Sequence, residues 1–184
     1  MMSMAAEVRK KLTWEDIRDL PEGEKAELVE GELYLAPTAG TPHQSIGTRL
    51  TVLIFNFVEE RDLGWFSGRD VHYVFDEHNH FEPDLSFVAK DRMHLIRGPY
   101  VDGPPDLAIE ILSPSNRKHD TELKFRYYAR FGVKEYWMVD PDAKAIAIFA
   151  LEGADYELVG EFTPGQPIRS RVLEGLSFDP AKIF

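Results

Sequence analysis

Two short apolar runs carry acidic residues in positions where a strand would present them. FEPDLSFVAK begins its apolar part at Asp84, and GPPDLAIEILSP holds Glu110 in its middle. Side chains alternate between the two faces of a strand, so Asp106 and Glu110 would share one face while Ile109 and Ile111 occupy the other. An ionised carboxylate between such apolar neighbours needs a partner charge, hydrogen bonds or a metal ion.

The chemistry open to Asp84 and Glu110 is the binding of a hard divalent cation. Two carboxylates can hold Mg²⁺, which keeps several waters and accepts phosphate oxygens. Such an ion lowers the pKa of a bound water and stabilises charge on a phosphodiester. The alternative is structural: Asp84 is a turn residue after a proline, and Glu110 pairs with a nearby Lys or Arg. The spacing alone does not decide between them.

Lys124 is the candidate third member of this site. A helix that leaves the Glu110 strand can fold its first turns back over the strand end, and an ammonium there could orient a water or offset phosphate charge. The competing interpretation is an exposed pair between Asp120 and Lys124, four residues apart on one helix face. The local spacing favours that ion pair.

Two further groups could bind metals or face the same cavity. The run from Asp76 to His80 contains both acids and histidines, but it lies between two apolar segments and is typical of a solvated turn. Ligands confined to one flexible loop make a poorly fixed site. His43 could face the same cavity as Glu30, although its place in the first turn of a helix favours an exposed histidine.

The N-terminal half predicts the elements that would flank the site. Thr13 resembles the N-cap of a short helix, and KAELVEGELYLAP alternates around Glu30 and Gly31, which predicts a tight hairpin. A long helix is predicted from Thr41 to about Arg61, because its apolar residues recur on one stripe.

The C-terminal half predicts the strands and the helix that follow. A strand, a polar turn and the Asp84 strand precede the Glu110 strand, and a helix ending at Gly132 follows it. VKEYWMVDPDAKAIAIFAL and DYELVGEF predict three more strands. The order predicts a mixed α/β (α+β) fold, with a central mixed sheet flanked by helices and additional strands, in one domain covering residues 1–184.

The composition limits the classes of function. The 184 residues include 43% hydrophobic residues and no cysteine, so a globular core is expected and a thiolate zinc site is excluded. The net charge of −11 counts against tight non-specific nucleic-acid binding, despite local basic residues between Arg117 and Arg130. No apolar stretch approaches the ~18 residues of a membrane span, and we expect a cytoplasmic protein.

Several motifs together resemble those of one known family. PDLSFV, PPDLAIEILSPSNRKHD, KFRYYARFGVKEYWMVDP and ELVEGELYLAP are similar to motifs of the Uma2 family of restriction-endonuclease-like proteins, and the resemblance runs from Leu12 to Phe184. It implies the PD-(D/E)XK nuclease-like fold, with a restriction-endonuclease-like core. It also implies that Pro83 and Asp84 supply the PD and that Glu110 supplies the (D/E).

The resemblance includes one departure from the general nuclease motif. The lysine expected two residues after the acid is replaced by Leu112. The resemblance then makes Lys124 the candidate lysine, with Lys118 as the less favoured neighbour. Glu30 would correspond to an additional acid near the site.

The resemblance implies a metal-dependent endonuclease that hydrolyses phosphodiester bonds in nucleic acid, with DNA as the expected substrate. Asp84 and Glu110 would bind Mg²⁺ or Mn²⁺, and Lys124 and Glu30 would complete the catalytic set. A homodimer is compatible with this fold. The alternative is a catalytically degenerate interaction or regulatory module, which the acidic charge and the displaced lysine favour.

Overall fold

The computed structural model describes residues 10–20, 25–36, 40–68 and 71–184. Within these ranges the chain forms three α-helices and twelve strands, arranged in two six-stranded sheets. The helices are α1 (Trp14–Ile17), α2 (Thr41–Glu60) and α3 (Phe125–Phe131). The strands are β1 (Lys25–Val29), β2 (Glu32–Ala36), β3 (Gly64–Ser67), β4 (His72–Asp76), β5 (Asn79–Phe81), β6 (Leu85–Ala89), β7 (Ile96–Arg97), β8 (Tyr100–Asp102), β9 (Leu107–Ile111), β10 (Glu135–Asp140), β11 (Ala145–Glu152) and β12 (Asp155–Phe162).

Both sheets are mixed. The first has the order β2-β1-β5-β4-β8-β7, with β4 and β8 parallel, and the second has the order β12-β11-β10-β9-β6-β3, with β9 and β10 parallel. The predicted mixed α/β class with flanking helices is therefore confirmed. The division of the strands between two sheets was not predicted.

The predicted hairpin at Glu30 and Gly31 is present. Strands β1 and β2 pair through Leu28 with Leu33, and both turn residues adopt left-handed conformations, with φ of 53° and 81°. Two successive positive φ values match the turn that suits the right-handed twist of paired strands. A side chain at Gly31 would come within 2.6 Å of the Lys11 Cβ atom, so the position also needs glycine for space.

Helix α2 agrees with the predicted long helix. Ile46, Leu50, Ile54 and Val58 are buried at four-residue spacing, which places them on one stripe. That stripe packs on one face of the second sheet. The helix begins at Thr41, as predicted, and Gly40 is its N-cap residue.

A helical segment connects the parallel strands β9 and β10. Its middle, His119–Lys124, is a π-helix that continues into α3, and Gly132 ends it with a φ of 84°. A π-helical turn is wider than an α-helical one and is frequent at functional sites.

The central strands β9 and β10 of the second sheet are buried on both faces. Leu85, Leu107 and Ile109 face α2, as the predicted alternation requires. The opposite face, which carries Ala108 and Glu110, is covered by the first sheet and α3 and is therefore not solvent-exposed. The carboxylate of Glu110 consequently lies between the two sheets.

The segment before Asp84 differs from the prediction. The turn comprises only Glu77 and His78, whereas Asn79 and His80 are buried in β5. Asn79 is stabilised there because its side chain accepts a hydrogen bond from the Glu30 amide and donates one to Asp76. The expectation of a solvated turn is wrong for these two residues.

In the described part of the chain, no helix is long and apolar enough to cross a membrane.

Candidate active site

Strand register brings Asp84 and Glu110 together. Strands β6 and β9 are antiparallel, with Leu85 paired to Ile109. Continuing that register by one residue places Asp84 opposite Glu110 on the same face. The Asp84 Oδ2 atom accepts a hydrogen bond of 2.9 Å from the Ile111 amide, which fixes its carboxylate at the end of β9.

Lys124 lies against Glu110. Its Nζ atom is 2.9 Å from Glu110 Oε1 and 3.5 Å from Asp120 Oδ1. The pair with Asp120 that the helical spacing predicted therefore exists, but it is buried rather than exposed. Tyr128, one helical turn further on, donates its hydroxyl to Glu110 Oε1 at 2.9 Å. Lys118 is exposed on the same helical segment.

Glu27 is an acid of this site that sequence reasoning missed. Its Oε1 atom lies 2.9 Å from the Lys124 Nζ atom, and its Oε2 atom lies 2.8 Å from the His119 Nε2 atom. The Glu82 amide also donates to Glu27 Oε1, at 3.0 Å. The available signal was the alternation of Lys25 and Glu27 with Ala26 and Leu28, which places both charged residues on one face of β1.

Glu30, which the family resemblance suggested as the additional acid, lies elsewhere. It occupies the hairpin turn with its side chain 44% exposed, and its carboxylate accepts a hydrogen bond of 2.7 Å from Arg130. Lys11 is its other cationic neighbour, at 3.7 Å. The structure thus does not bring Glu30 together with Asp84 and Glu110, because the turn directs the chain beyond the end of the sheet.

Lys25 and His43 complete the surroundings of Asp84. The Lys25 Nζ atom is 3.1 Å from Asp84 Oδ1 and 3.9 Å from Glu110 Oε2, so it stands between the two carboxylates. The His43 Nε2 atom is 3.0 Å from Asp84 Oδ2. The interpretation of His43 as an exposed histidine is therefore wrong. We call Glu27, Asp84, Glu110, Asp120, Lys25 and Lys124 the acid–lysine cluster.

The cluster is open to solvent on one side. The side chains of Asp84, Lys25 and His43 are 18%, 25% and 16% exposed. Those of Glu110 and Lys124 are 1% and 2% exposed. A substrate or ion would thus reach Asp84 first, and Lys124 lies behind Glu110.

Burial and charge act against each other at the carboxyl groups. Burial raises the pKa of Glu110 to about 8, which Lys124 and Lys25 only partly oppose. Burial likewise raises the pKa of Asp120. The pKa of Asp84 is nevertheless held below its usual range, because Lys25 and the hydrogen bond from His43 outweigh burial.

The remaining groups of the acid–lysine cluster stay charged. Burial opposes ionisation of Glu27, but Lys124 and His119 lower its pKa below the ordinary value. For Lys124, Glu110 and Glu27 outweigh burial and raise the pKa. The pKa of Lys25 is raised in the same way by Asp84 and Glu110.

The arrangement fits a hard divalent cation. Four carboxylates face two ammonium groups, which leaves an excess of negative charge when all six are ionised. Carboxylate oxygens are the donors that Mg²⁺ prefers. The Lys25 ammonium, between Asp84 and Glu110, occupies a position that already favours positive charge.

The chain matches a family model and is similar to a curated protein and to a solved structure. The Uma2 family model, described as "Putative restriction endonuclease", matches residues 14–181. An uncharacterized protein of Synechocystis sp. is 27% identical over 141 residues, which are 75% of this chain and 70% of the relative. A crystal structure of a "putative nuclease belonging to DUF820" from Anabaena variabilis has a TM-score of 0.78 at 20% identity, covering 94% of this chain and 97% of the other. The structural likeness shows a shared fold.

Proposed function

The chain belongs to the Uma2 family, and from that premise we propose that it is a metal-dependent nuclease acting at the acid–lysine cluster. It hydrolyses phosphodiester bonds in nucleic acid, and DNA is the expected substrate. One observation carries the proposal: Asp84 and Glu110 converge from neighbouring strands around the ammonium of Lys25, at a point that solvent reaches.

Asp84 and Glu110 would hold Mg²⁺ or Mn²⁺ through their carboxylate oxygens. When bound, such an ion makes a water more acidic and stabilises charge that develops on a phosphodiester. Asp84 is already fixed by the Ile111 amide, so one ligand needs no rearrangement. Lys25 would leave its position between the carboxylates when the ion binds.

The two lysines would have different roles. Lys124 contacts both Glu27 and Glu110, so it holds two carboxylates in place and would orient the attacking water from behind them. Lys25 lies on the accessible side and would face an incoming phosphate group. His43 would keep Asp84 ionised and correctly oriented, because it contacts Asp84 Oδ2.

Purified protein with Mg²⁺ or Mn²⁺ should cleave some member of a panel of DNA and RNA substrates. Asp84→Asn and Glu110→Gln should each lose at least about 100-fold in rate, because each removes a charged metal ligand. Glu30→Gln is the matched control and should keep full activity, since Glu30 lies outside the cluster. Equal rates in the unaltered protein and the three variants would rule out the proposal. Comparing cleavage of DNA with cleavage of RNA identifies the substrate.

A non-catalytic interaction or regulatory module is the second candidate. The observation that favours it is the Lys25 ammonium, which satisfies Asp84 and Glu110 without any metal. Calorimetric titration with Mn²⁺ separates the two candidates. A nuclease should show binding that Glu110→Gln abolishes, whereas a degenerate site should show no binding that depends on Glu110.

A further inference from the structure

A second group of ligand-type side chains lies on the first sheet. His72, His80 and Glu82 each offer one ligand atom, and these three atoms all lie within 4.8 Å of one another. They come from β4, from β5 and from the residue just after β5. We call these three residues the histidine–glutamate group.

Strand pairing places this group on the face opposite the acid–lysine cluster. His80 pairs with Leu28 of β1, so its side chain shares the Leu28 face, while Glu27 points to the other. Glu82 follows His80 by two residues and shares its face. His72 lies two residues before Val74, the β4 partner of His80, and is on that face as well.

The distances suit a small transition-metal ion. The His72 Nδ1 atom is 3.1 Å from His80 Nε2 and 3.2 Å from Glu82 Oε1. Ligands about 2.1 Å from a tetrahedral Zn²⁺ lie about 3.4 Å from one another, so a shift of a few tenths of an ångström would suffice. Two imidazoles and a carboxylate are a common zinc ligand set, with a water in the fourth position.

The surroundings hold the ligands in place. His80 and Glu82 are buried, and Glu82 Oε1 accepts a hydrogen bond of 3.3 Å from the Ala26 amide. The Trp14 ring of α1 packs 4.6 Å from the His80 ring and 5.3 Å from the His72 ring, between ring centres. Side chains fixed by sheet and helix in this way make a defined site, unlike ligands on a loop.

An ion can reach the histidine–glutamate group from solvent. The His72 side chain is 39% exposed, which leaves an entry path for an ion.

We propose that the histidine–glutamate group is a zinc-type metal site, separate from the Mg²⁺ or Mn²⁺ site of the proposed nuclease. Imidazole selects Zn²⁺ and similar ions, whereas carboxylate oxygens alone select Mg²⁺ and Mn²⁺. The two sites would therefore take different ions from the same solution. The ion would join β4 and β5 beneath Trp14 and thereby stabilise the first sheet.

Metal content tests this site without any activity measurement. The whole protein, dialysed against micromolar Zn²⁺ in excess Mg²⁺, should retain one zinc per chain. His72→Ala and Glu82→Gln should weaken zinc binding by more than the roughly 10–100-fold that loss of an outer-shell partner costs. Glu110→Gln is the matched control and should retain zinc fully. Ni²⁺ should quench the emission of Trp14, a signal that Trp14→Phe removes.

The outcomes separate the proposal from its rivals. Zinc retained equally by His72→Ala and Glu82→Gln, or no zinc retained by the unaltered protein, would overturn it. Zinc lost from Glu110→Gln but kept by His72→Ala would assign the ion to the acid–lysine cluster and would overturn it as well. Because His72 is partly exposed, its alanine variant should fold, and circular dichroism verifies this. None of these results depends on nuclease activity.

Discussion

At the scale of single residues, Glu110 shows how an acidic side chain is maintained in an apolar sheet. It sits between Ile109 and Ile111 in a strand that is buried throughout. Its Oε1 atom accepts hydrogen bonds from both Lys124 and Tyr128, at 2.9 Å each. An unpaired carboxylate there would be strongly destabilising, so these two donors and a shifted pKa make the position tolerable.

The raised pKa of Glu110 predicts the pH dependence of stability in the metal-free protein. The pKa rises from its ordinary 4.5 to about 8. Between these values the unfolded chain loses the Glu110 proton while the folded chain keeps it, so the stability that the protonated group contributes is complete below pH 4.5 and lost as pH rises through 8. Relative to Glu110→Gln, the unaltered protein should lose on the order of a few kcal/mol of unfolding free energy between pH 4.5 and 8, because each pKa unit corresponds to about 1.4 kcal/mol.

Urea denaturation in chelator-treated buffer, repeated from pH 4.5 to 8.5, measures this difference. Glu110→Gln stays neutral throughout and cancels the contributions of the titrating groups outside the acid–lysine cluster. A difference in unfolding free energy that is constant with pH, or that grows in favour of the unaltered protein, would contradict the raised pKa.

At the scale of elements, the sequence predicted the structural features that depend on local periodicity, such as which residues share one face of a strand. Alternation placed Glu110 on the polar face of its strand, and the observed register puts Asp84 opposite it. The local spacing favoured an exposed pair of Lys124 with Asp120, whereas the family resemblance suggested that Lys124 belongs with Glu110. Which sheet covers that face depends on contacts between distant segments, and no local pattern specifies them. For that reason Glu27 was missed, whereas Glu30 was suggested by the family resemblance.

His80 illustrates the same limit. Five polar residues in sequence predicted a solvated turn, but two of them form a buried strand because β1 and β4 pair with it on either side. Composition alone cannot distinguish a polar turn from a polar strand whose side chains find partners in the fold. The histidine–glutamate group was hidden from sequence analysis for this reason.

Lys124 and Lys118 of the π-helical region provide a prediction about the connecting helix. Lys124→Met should destabilise the protein by about 3–5 kcal/mol, because it leaves the buried, ionised carboxylate of Glu27 without its cation and Glu110 without one of its two hydrogen-bond donors. Lys118→Met should change stability by less than about 0.5 kcal/mol, since Lys118 is exposed. Thermal or urea unfolding of the three proteins at pH 7 measures both effects. Equal stability of the two variants would show that Lys124 does not hold the cluster together.

At the scale of the whole molecule, the first sheet separates two polar clusters. The acid–lysine cluster lies on the face that meets the second sheet, and the histidine–glutamate group lies on the other. They are connected through Glu82, whose amide donates to Glu27 and whose carboxylate belongs to the second group. The sheet therefore fixes both sets of ligands with one backbone scaffold, which is a rigid support for sites of this kind.

The net charge of −11 predicts that binding of nucleic acid by the proposed nuclease depends on divalent cations. An acidic protein and a polyphosphate repel each other at long range, and the carboxylates of Asp84 and Glu110 would meet the phosphate at close range. We expect duplex DNA to bind weakly in chelator and at least about tenfold more tightly in Ca²⁺ at constant ionic strength, since an oxygen-coordinated cation at these carboxylates offsets the local negative charge. Fluorescence anisotropy of a labelled duplex measures the change. Glu110→Gln should lose most of this gain, because it removes a cation ligand. An equal gain in Glu110→Gln would instead mean that Ca²⁺ acts only by general screening and that the cluster takes no part in binding DNA.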